Sequence, residues 1–219
     1  MDLGKAFSYV FEDEEWIVKI LLGALLMLIP IVGQFALMGY GIAIIRNVRA
    51  GEPRPLPNWS AFGEYLLDGL KLWAVTLVYT LPLFVIICPI TFVWILPALG
   101  GESEDLVVAL AGLSGILSIG LICLVTLYSI LLAIVAPVLQ IRYAKSGEIG
   151  DCLQIGAVFR DAFANLGSII MVALVWWAAS IILVPIATTV TLGLLALPAS
   201  VWLRTLSSHL YGQISRQIG

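Results

Sequence analysis

Charge divides this chain into four long apolar runs separated by short polar segments. Ile20–Ile45, Leu72–Gly101, Leu106–Ile141 and Ala162–Leu203 hold no Asp, Glu, Lys or Arg. They are about 26, 30, 36 and 42 residues long, where a helix needs about 20 apolar residues to cross the hydrocarbon core of a bilayer. Each run clears that length, and the last is long enough to cross twice. The pattern predicts an all-α integral membrane helical bundle of about five transmembrane helices, forming a single domain over residues 1–219. Spans are expected at approximately 17–45, 71–98, 106–141, 166–187 and 190–211.

The polar segments between the runs predict interfacial amphipathic helices at 2–15, 60–70 and 148–164. In the first, Phe7 and Phe11 lie four apart, and Glu15 and Lys19 form an i,i+4 pair in the favourable order. The acidic cluster Glu12–Glu15 reads as a solvated face. In the third, Ile149, Cys152, Leu153, Gly156, Phe159 and Phe163 fall on one side at helical spacing, away from Asp151, Gln154 and Asp161. Such a helix lies in the headgroup plane. Trp16, Trp59, Phe159 and Phe163 are the expected interfacial anchors.

Breaks inside the runs matter as much as their lengths. Pro30 and Gly33 interrupt the first run beside Gln34. Proline removes a helical hydrogen bond and bends the helix, so 17–45 is expected as a kinked, tilted span; a re-entrant pair of half-helices is the alternative. Pro82 and Pro89 interrupt the second run, and Pro185 with Thr188–Gly193 divides the fourth. The segment Arg46–Trp59 is a loop, because Pro53, Pro55 and Pro57 exclude regular helix.

Composition sharpens this picture. Hydrophobic residues make up 61% and charged residues 11%, against about 25% charged in a soluble domain. A net charge of −3 with no basic tail gives no footprint for nucleic acid. The acidic residues before the first run do not fit a secretory signal, which begins with a basic region. Cys88 and Cys123 fall in apolar runs and Cys152 between them, so three unpaired thiols are expected, with no metal-ligand spacing.

Orientation follows from Lys and Arg. Arg46, Arg49, Arg54 and Lys71 sit between the first two spans, and Arg142, Lys145 and Arg160 between the third and fourth. The turns at Gly101–Asp105 and near Thr188 have none. The basic loops and the C-terminus are expected on the cytoplasmic side. The N-terminus lies outside for five spans, or inside if the first run is re-entrant.

No ionisable side chain is expected deep inside a span. Such groups mark proton relays and ion pathways, so proton-coupled transport and carboxylate or metal hydrolysis draw little support. No catalytic residue, cofactor or metal is expected, and the chain does not read as an enzyme. The candidate polar or ligand site comprises Gln34, Gln140, Arg142, Tyr143 and His209. The leading expectation is organisation of lipid or partner proteins at the membrane face, with membrane lipids and a membrane protein or a second copy as partners. The alternative is a small uncoupled transporter or channel using the broken helices at Pro30 and Pro82/Pro89.

Short motifs recur in a recognisable order. They are Phe11-Glu12-Asp13 with Trp16 and Lys19; Ile29-Pro30; Gly39-Tyr40; Leu56-Pro57-Asn58-Trp59; Asp68-Gly69-Leu70; Arg142-Tyr143; and His209-Leu210-Tyr211-Gly212-Gln213. In this order the chain resembles the prokaryotic multi-pass membrane proteins of domain-of-unknown-function family 4013. The resemblance implies a bacterial or archaeal cytoplasmic-membrane protein and brings no substrate or catalytic residue.

Overall fold

The computed structural model describes residues 1–217, and every regular element among them is helical. In chain order these are α1 (Leu3–Ser8), α2 (Trp16–Met27), α3 (Val32–Ala50), α4 (Phe62–Val93), α5 (Glu104–Ser146), α6 (Ile149–Cys152), α7 (Ile155–Ala164), α8 (Leu166–Thr189) and α9 (Ala196–Gln217). Short 3-10 turns cover Trp59–Ala61 and Leu96–Gly100. Three stretches are long and apolar enough to cross a membrane: Trp59–Gly100, Glu104–Ser146 and Leu166–Thr189. Their surfaces are those of lipid-facing helices, with Phe84, Val85, Ile116, Leu127, Leu174 and Ile182 all exposed.

Contacts divide the chain into two units. The first comprises Met1–Val75 and Val135–Gly219, and the second Thr76–Ile134. The second unit is a helical hairpin: the later half of α4, the turn at Gly100–Ser103 and the first three quarters of α5. The Tyr128 hydroxyl donates to the Tyr79 carbonyl at 2.8 Å and ties its two arms together. Pro82 and Pro89 lie within α4, which continues through both.

The first unit holds the core. Helix α3 packs on α2 and α9, and α8 packs on α9. Two glycines set the approach of α3 to α4. A methyl group at Gly39 would stand 1.8 Å from the Tyr65 carbonyl oxygen, and one at Gly69 would stand 1.8 Å from that of Phe35. The two backbones therefore touch at reciprocal positions one helical turn apart. Tyr40, Leu37, Ile44 and Val48 fill the space around this crossing with Tyr65 and Leu56.

The structure departs from the sequence reading in several places. The first run is not one kinked helix over 17–45 but two helices that fold back on each other. Val32 N–H donates to the Pro30 carbonyl at 2.8 Å across Ile31, whose φ is +69°. This is a tight γ-turn of the strained, positive-φ kind. It reverses the chain so closely that a methyl at Gly33 would meet the Leu26 carbonyl oxygen at 1.7 Å. Helix α2, with 12 residues, reaches only about 18 Å and is too short to cross a bilayer.

The helix expected at 60–70 has no separate existence, because one helix runs from Phe62 through to Val93. The helix expected at 2–15 stops at Ser8, and the 148–164 segment divides at Leu153–Gln154. Helix α3 extends to Ala50, where Gly51 caps it at φ +85°, leaving a shorter loop than Arg46–Trp59. The segment expected as a span at 190–211 is helical from Ala196, as α9, which is not among the three stretches that are apolar enough to cross by composition.

Candidate functional site

Four knots of polar side chains hold the first unit together, and most of the motif residues meet in them. The first forms around Pro55–Asn58. A proline-rich stretch donates few hydrogen bonds, so its carbonyls need outside donors. Each of four successive carbonyls receives one: Pro55 from Asn47, Leu56 from the Lys19 ammonium, Pro57 from the Tyr40 hydroxyl and Asn58 from the Tyr65 hydroxyl. Trp59 stacks on Tyr40 at 4.3 Å between centroids, and its indole N–H donates to the Lys19 carbonyl at 2.9 Å. Lys19 Nζ also donates to Asp13 Oδ2 at 2.7 Å, with both side chains 8% exposed.

The expected Glu15–Lys19 pair is therefore replaced by a buried Asp13–Lys19 pair. Asp13 is not part of a solvated face. Lys19 Nζ donates to Asp13 and to the Leu56 carbonyl together on the buried side, while Glu15 is exposed.

The second knot joins the polar ends of α3, α4 and α5. Asp68 accepts from the Arg46 guanidinium and from the Tyr143 hydroxyl, the latter at 2.7 Å. Arg46 lies 5.8 Å from the Tyr143 ring centroid, a cation–π contact. The third knot ties α5 to α6 and α7. Arg142 pairs with Asp161 and donates through Nε to the Asp151 carbonyl at 3.0 Å. Cys152 is buried beside it, and burial pushes its thiol up to about 11.

The fourth knot brings the N-terminal segment onto α9. Tyr9 donates to the Thr205 carbonyl at 3.0 Å and stacks on His209 at 4.2 Å. Gln213 Nε2 lies 3.2 Å from His209 Nδ1, and the Gln213 amide also bonds Asp2. His209 is 2% exposed. Burial, with the nearby charges of Lys5 and Arg216, pushes it down to about 4, against a smaller upward pull from Asp2. The ring is therefore neutral at physiological pH.

The expected site residues do not converge on one place. Arg142 and Tyr143 occupy neighbouring knots, and His209 a third. Gln34 is exposed at the start of α3 and Gln140 is half-buried in α5. Trp16 meets Phe11 edge-on at 5.0 Å and lines an apolar groove of about 450 Å³ with Ile186, Val190 and Trp202. Trp59 is turned inward onto Tyr40. On α7, Val158 and Ala162 are buried, while Phe163 is exposed and stacked on Phe159 at 6.5 Å. Among the described residues no group of three His, Cys, Asp or Glu is placed to share a metal ion.

One residue escaped the sequence reading. Arg204 ends the fourth apolar run and reads there as a boundary residue. Its register against α8 places it otherwise. Trp176 and Trp177 share a cleft with Ser207 and Tyr211, while Leu183 and Ile186 share the apolar groove with Ala199 and Trp202. Arg204 thus stands beside the middle of α8. The expectation that no ionisable group lies deep along a span is corrected at this position.

Long apolar helices joined to a core that is pinned by buried and half-buried ion pairs define a helical membrane protein. The chain belongs to the family described as a protein of unknown function, DUF4013, which it matches over residues 22–195. No curated protein and no solved structure matches it.

Proposed function

We propose that this protein is a non-enzymatic, multi-pass component of a prokaryotic cytoplasmic membrane that organises lipid or a partner protein at the cytoplasmic face. The observation that carries this reading is the two-sidedness of α7. Its inner face is fixed by Val158, Ala162 and the Asp161–Arg142 pair. Its outer face presents Ile155 and Phe163, 55% and 57% exposed, beside the exposed cation of Arg160. An apolar stripe flanked by a cation suits a surface rich in anionic headgroups. The polar knots support the same reading, since Asp13, Asp68 and Asp161 are each committed to a cation that holds helices in place.

The test compares the full chain with the double variant Phe159→Asp/Phe163→Asp, both purified in mild detergent. Because α7 is anchored through its other face, the variant should melt close to the parent. It should lose most of the lipid and any partner that travel with the parent, read as lipid phosphorus and complex mass per chain. A variant that melts normally and retains both would contradict the proposal.

A further inference from the structure

We propose that the polar cavity between α1, the C-terminal end of α3 and the last turns of α9 binds a phosphate monoester through Lys5, Arg216 and His209. The cavity holds about 510 Å³, within the range of small-molecule sites. Lys5 of α1 and Arg216 of α9 line it from different elements, together with His209 and Gln213. Neither cation has a carboxylate partner among the described residues. Arg216 Nη2 lies over the turn that ends α3, where a methyl added at Gly51 would stand 3.4 Å from it. All of these residues belong to one compact unit.

His209 supplies the independent sign of a ligand. It is 2% exposed, and burial, with Lys5 and Arg216 nearby, keeps its ring neutral. One ring nitrogen therefore carries a hydrogen and the other accepts one. The Gln213 amide decides which. Its oxygen accepts from the Asp2 N–H at 2.6 Å and its Nε2 donates to the Asp2 carbonyl at 2.9 Å, so the direction of the amide is fixed. The second Nε2 hydrogen faces His209 Nδ1 at 3.2 Å. Nδ1 is the acceptor, and the ring hydrogen sits on Nε2. That N–H has no partner among the described residues, and the cavity reaches the ring. A buried donor without an acceptor is costly.

A phosphate brings an oxygen to that donor and the negative charge that Lys5 and Arg216 lack. The acidic part of the wall narrows the class. Asp2 turns its carboxylate to the Lys5 backbone N–H, whereas Glu52 lines the cavity exposed. A carboxylate there accepts a hydroxyl hydrogen and repels a second phosphate, which favours a hydroxylated monophosphate over a pyrophosphate. Soluble phosphate esters and lysophosphatidic acid share this chemistry. The site has no residue in common with the α7 stripe, so it stands or falls separately from the proposed function.

The experiment uses the full chain in mild detergent at fixed salt. It is titrated with glycerol 3-phosphate and with the acylated form of the same ester, lysophosphatidic acid; glycerol and pyrophosphate are the comparisons. Affinity is read from thermal melting. Labelling with 15N-histidine reports the contact directly, because the chain has one histidine. The phosphate ester should raise the melting temperature and shift the His209 N–H signal, glycerol should do neither, and pyrophosphate should bind less tightly. Lys5→Gln and Arg216→Gln change exposed side chains, so both should melt like the parent. Each should bind at least about tenfold more weakly, the size expected of a charge-assisted hydrogen bond. Arg160→Gln removes an exposed cation of α7 and should bind as the parent does. A response to glycerol 3-phosphate assigns a soluble ester, and a response to lysophosphatidic acid alone assigns a lipid headgroup. The proposal is overturned by no response to either ester, by tighter binding of pyrophosphate, or by a response that survives in both Lys5→Gln and Arg216→Gln. Equal weakening in Arg160→Gln would also overturn it, since the effect would then be general charge attraction.

Discussion

The reciprocal contact of Gly39 with Tyr65 and of Gly69 with Phe35 makes a steep prediction. Alanine at either position places a methyl carbon 1.8 Å from a carbonyl oxygen. Real methyl carbons do not approach closer than 3.0 Å, so α3 and α4 must part by at least the difference between 3.0 and 1.8 Å, about 1.2 Å. Neither obstacle can swing aside, because both are backbone. Separation by that distance disturbs Leu37, Tyr40 and Tyr65 in the core and the four carbonyl contacts beside them. Overpacking a core costs about 1–3 kcal/mol and occasionally more, while alanine returns about 1 kcal/mol of helix propensity. Because both obstacles are backbone, the upper end of that cost applies, and the net loss should be about 2 kcal/mol, or a fall of about 4–8 °C in melting temperature for a chain of this size. Gly63→Ala and Gly156→Ala are the controls, since a methyl at either meets nothing within 4 Å. Both should melt at or slightly above the parent. Thermal unfolding of all four variants in one detergent decides the matter. If Gly39→Ala and Gly69→Ala melted with the controls, the close crossing would be wrong.

Three further outcomes follow from the polar knots. Lys19→Met should destabilise the fold by about 3–5 kcal/mol, because it leaves Asp13 buried without its cation; Arg54→Met, at the exposed Arg54–Glu14 pair, should change melting little. His209 takes up its proton near 6.5 when unfolded and only near about 4 when folded. The unfolded state therefore binds the extra proton in that window, and stability should fall by about 3 kcal/mol as pH drops through it; His209→Gln should lose that part of the acid sensitivity. Cys152, buried with a raised thiol, should resist alkylation at pH 8 in the folded protein and react on unfolding.

The helical class and the long apolar helices were legible in the sequence, because charge acts locally, whereas most helix limits were not. The turn at Gly101–Ser103 falls where the charge-free second run ends, and α8 (Leu166–Thr189) lies within two residues of the expected 166–187. The reversal at Pro30–Ile31 was legible only as the alternative to a kinked span: a kink and a hairpin share the same proline and glycine, and the choice is made by the packing of α2 on α3. The ion pairs were hidden for a different reason. Asp13 and Lys19 lie six residues apart, and Arg46 and Asp68 lie 22 apart. No helical spacing brings them together, and each depends on a tertiary approach. Arg204 was misplaced because its depth depends on the register of α9 against α8. The motif residues, by contrast, acquire physical reasons: Gly39 and Gly69 for the crossing, Tyr40 and Lys19 for the proline-rich carbonyls, Asp68 and Tyr143 for one knot.

The membrane placement that the proposed function rests on has α4, α5 and α8 crossing, α9 returning along α8 so that Gln213 meets Asp2, and α2 and α3 forming a hairpin that does not cross. Single cysteines at Asp2, Asn58, Ser103, Ser146 and Leu192, in a chain with Cys88, Cys123 and Cys152 replaced, test it through labelling of intact cells by an impermeant thiol reagent. Positions 103 and 192 should label, and positions 2, 58 and 146 should label only after the membrane is opened. Labelling of position 2 from outside, with 58 still shielded, would mean that residues 17–45 cross the bilayer and would contradict the account.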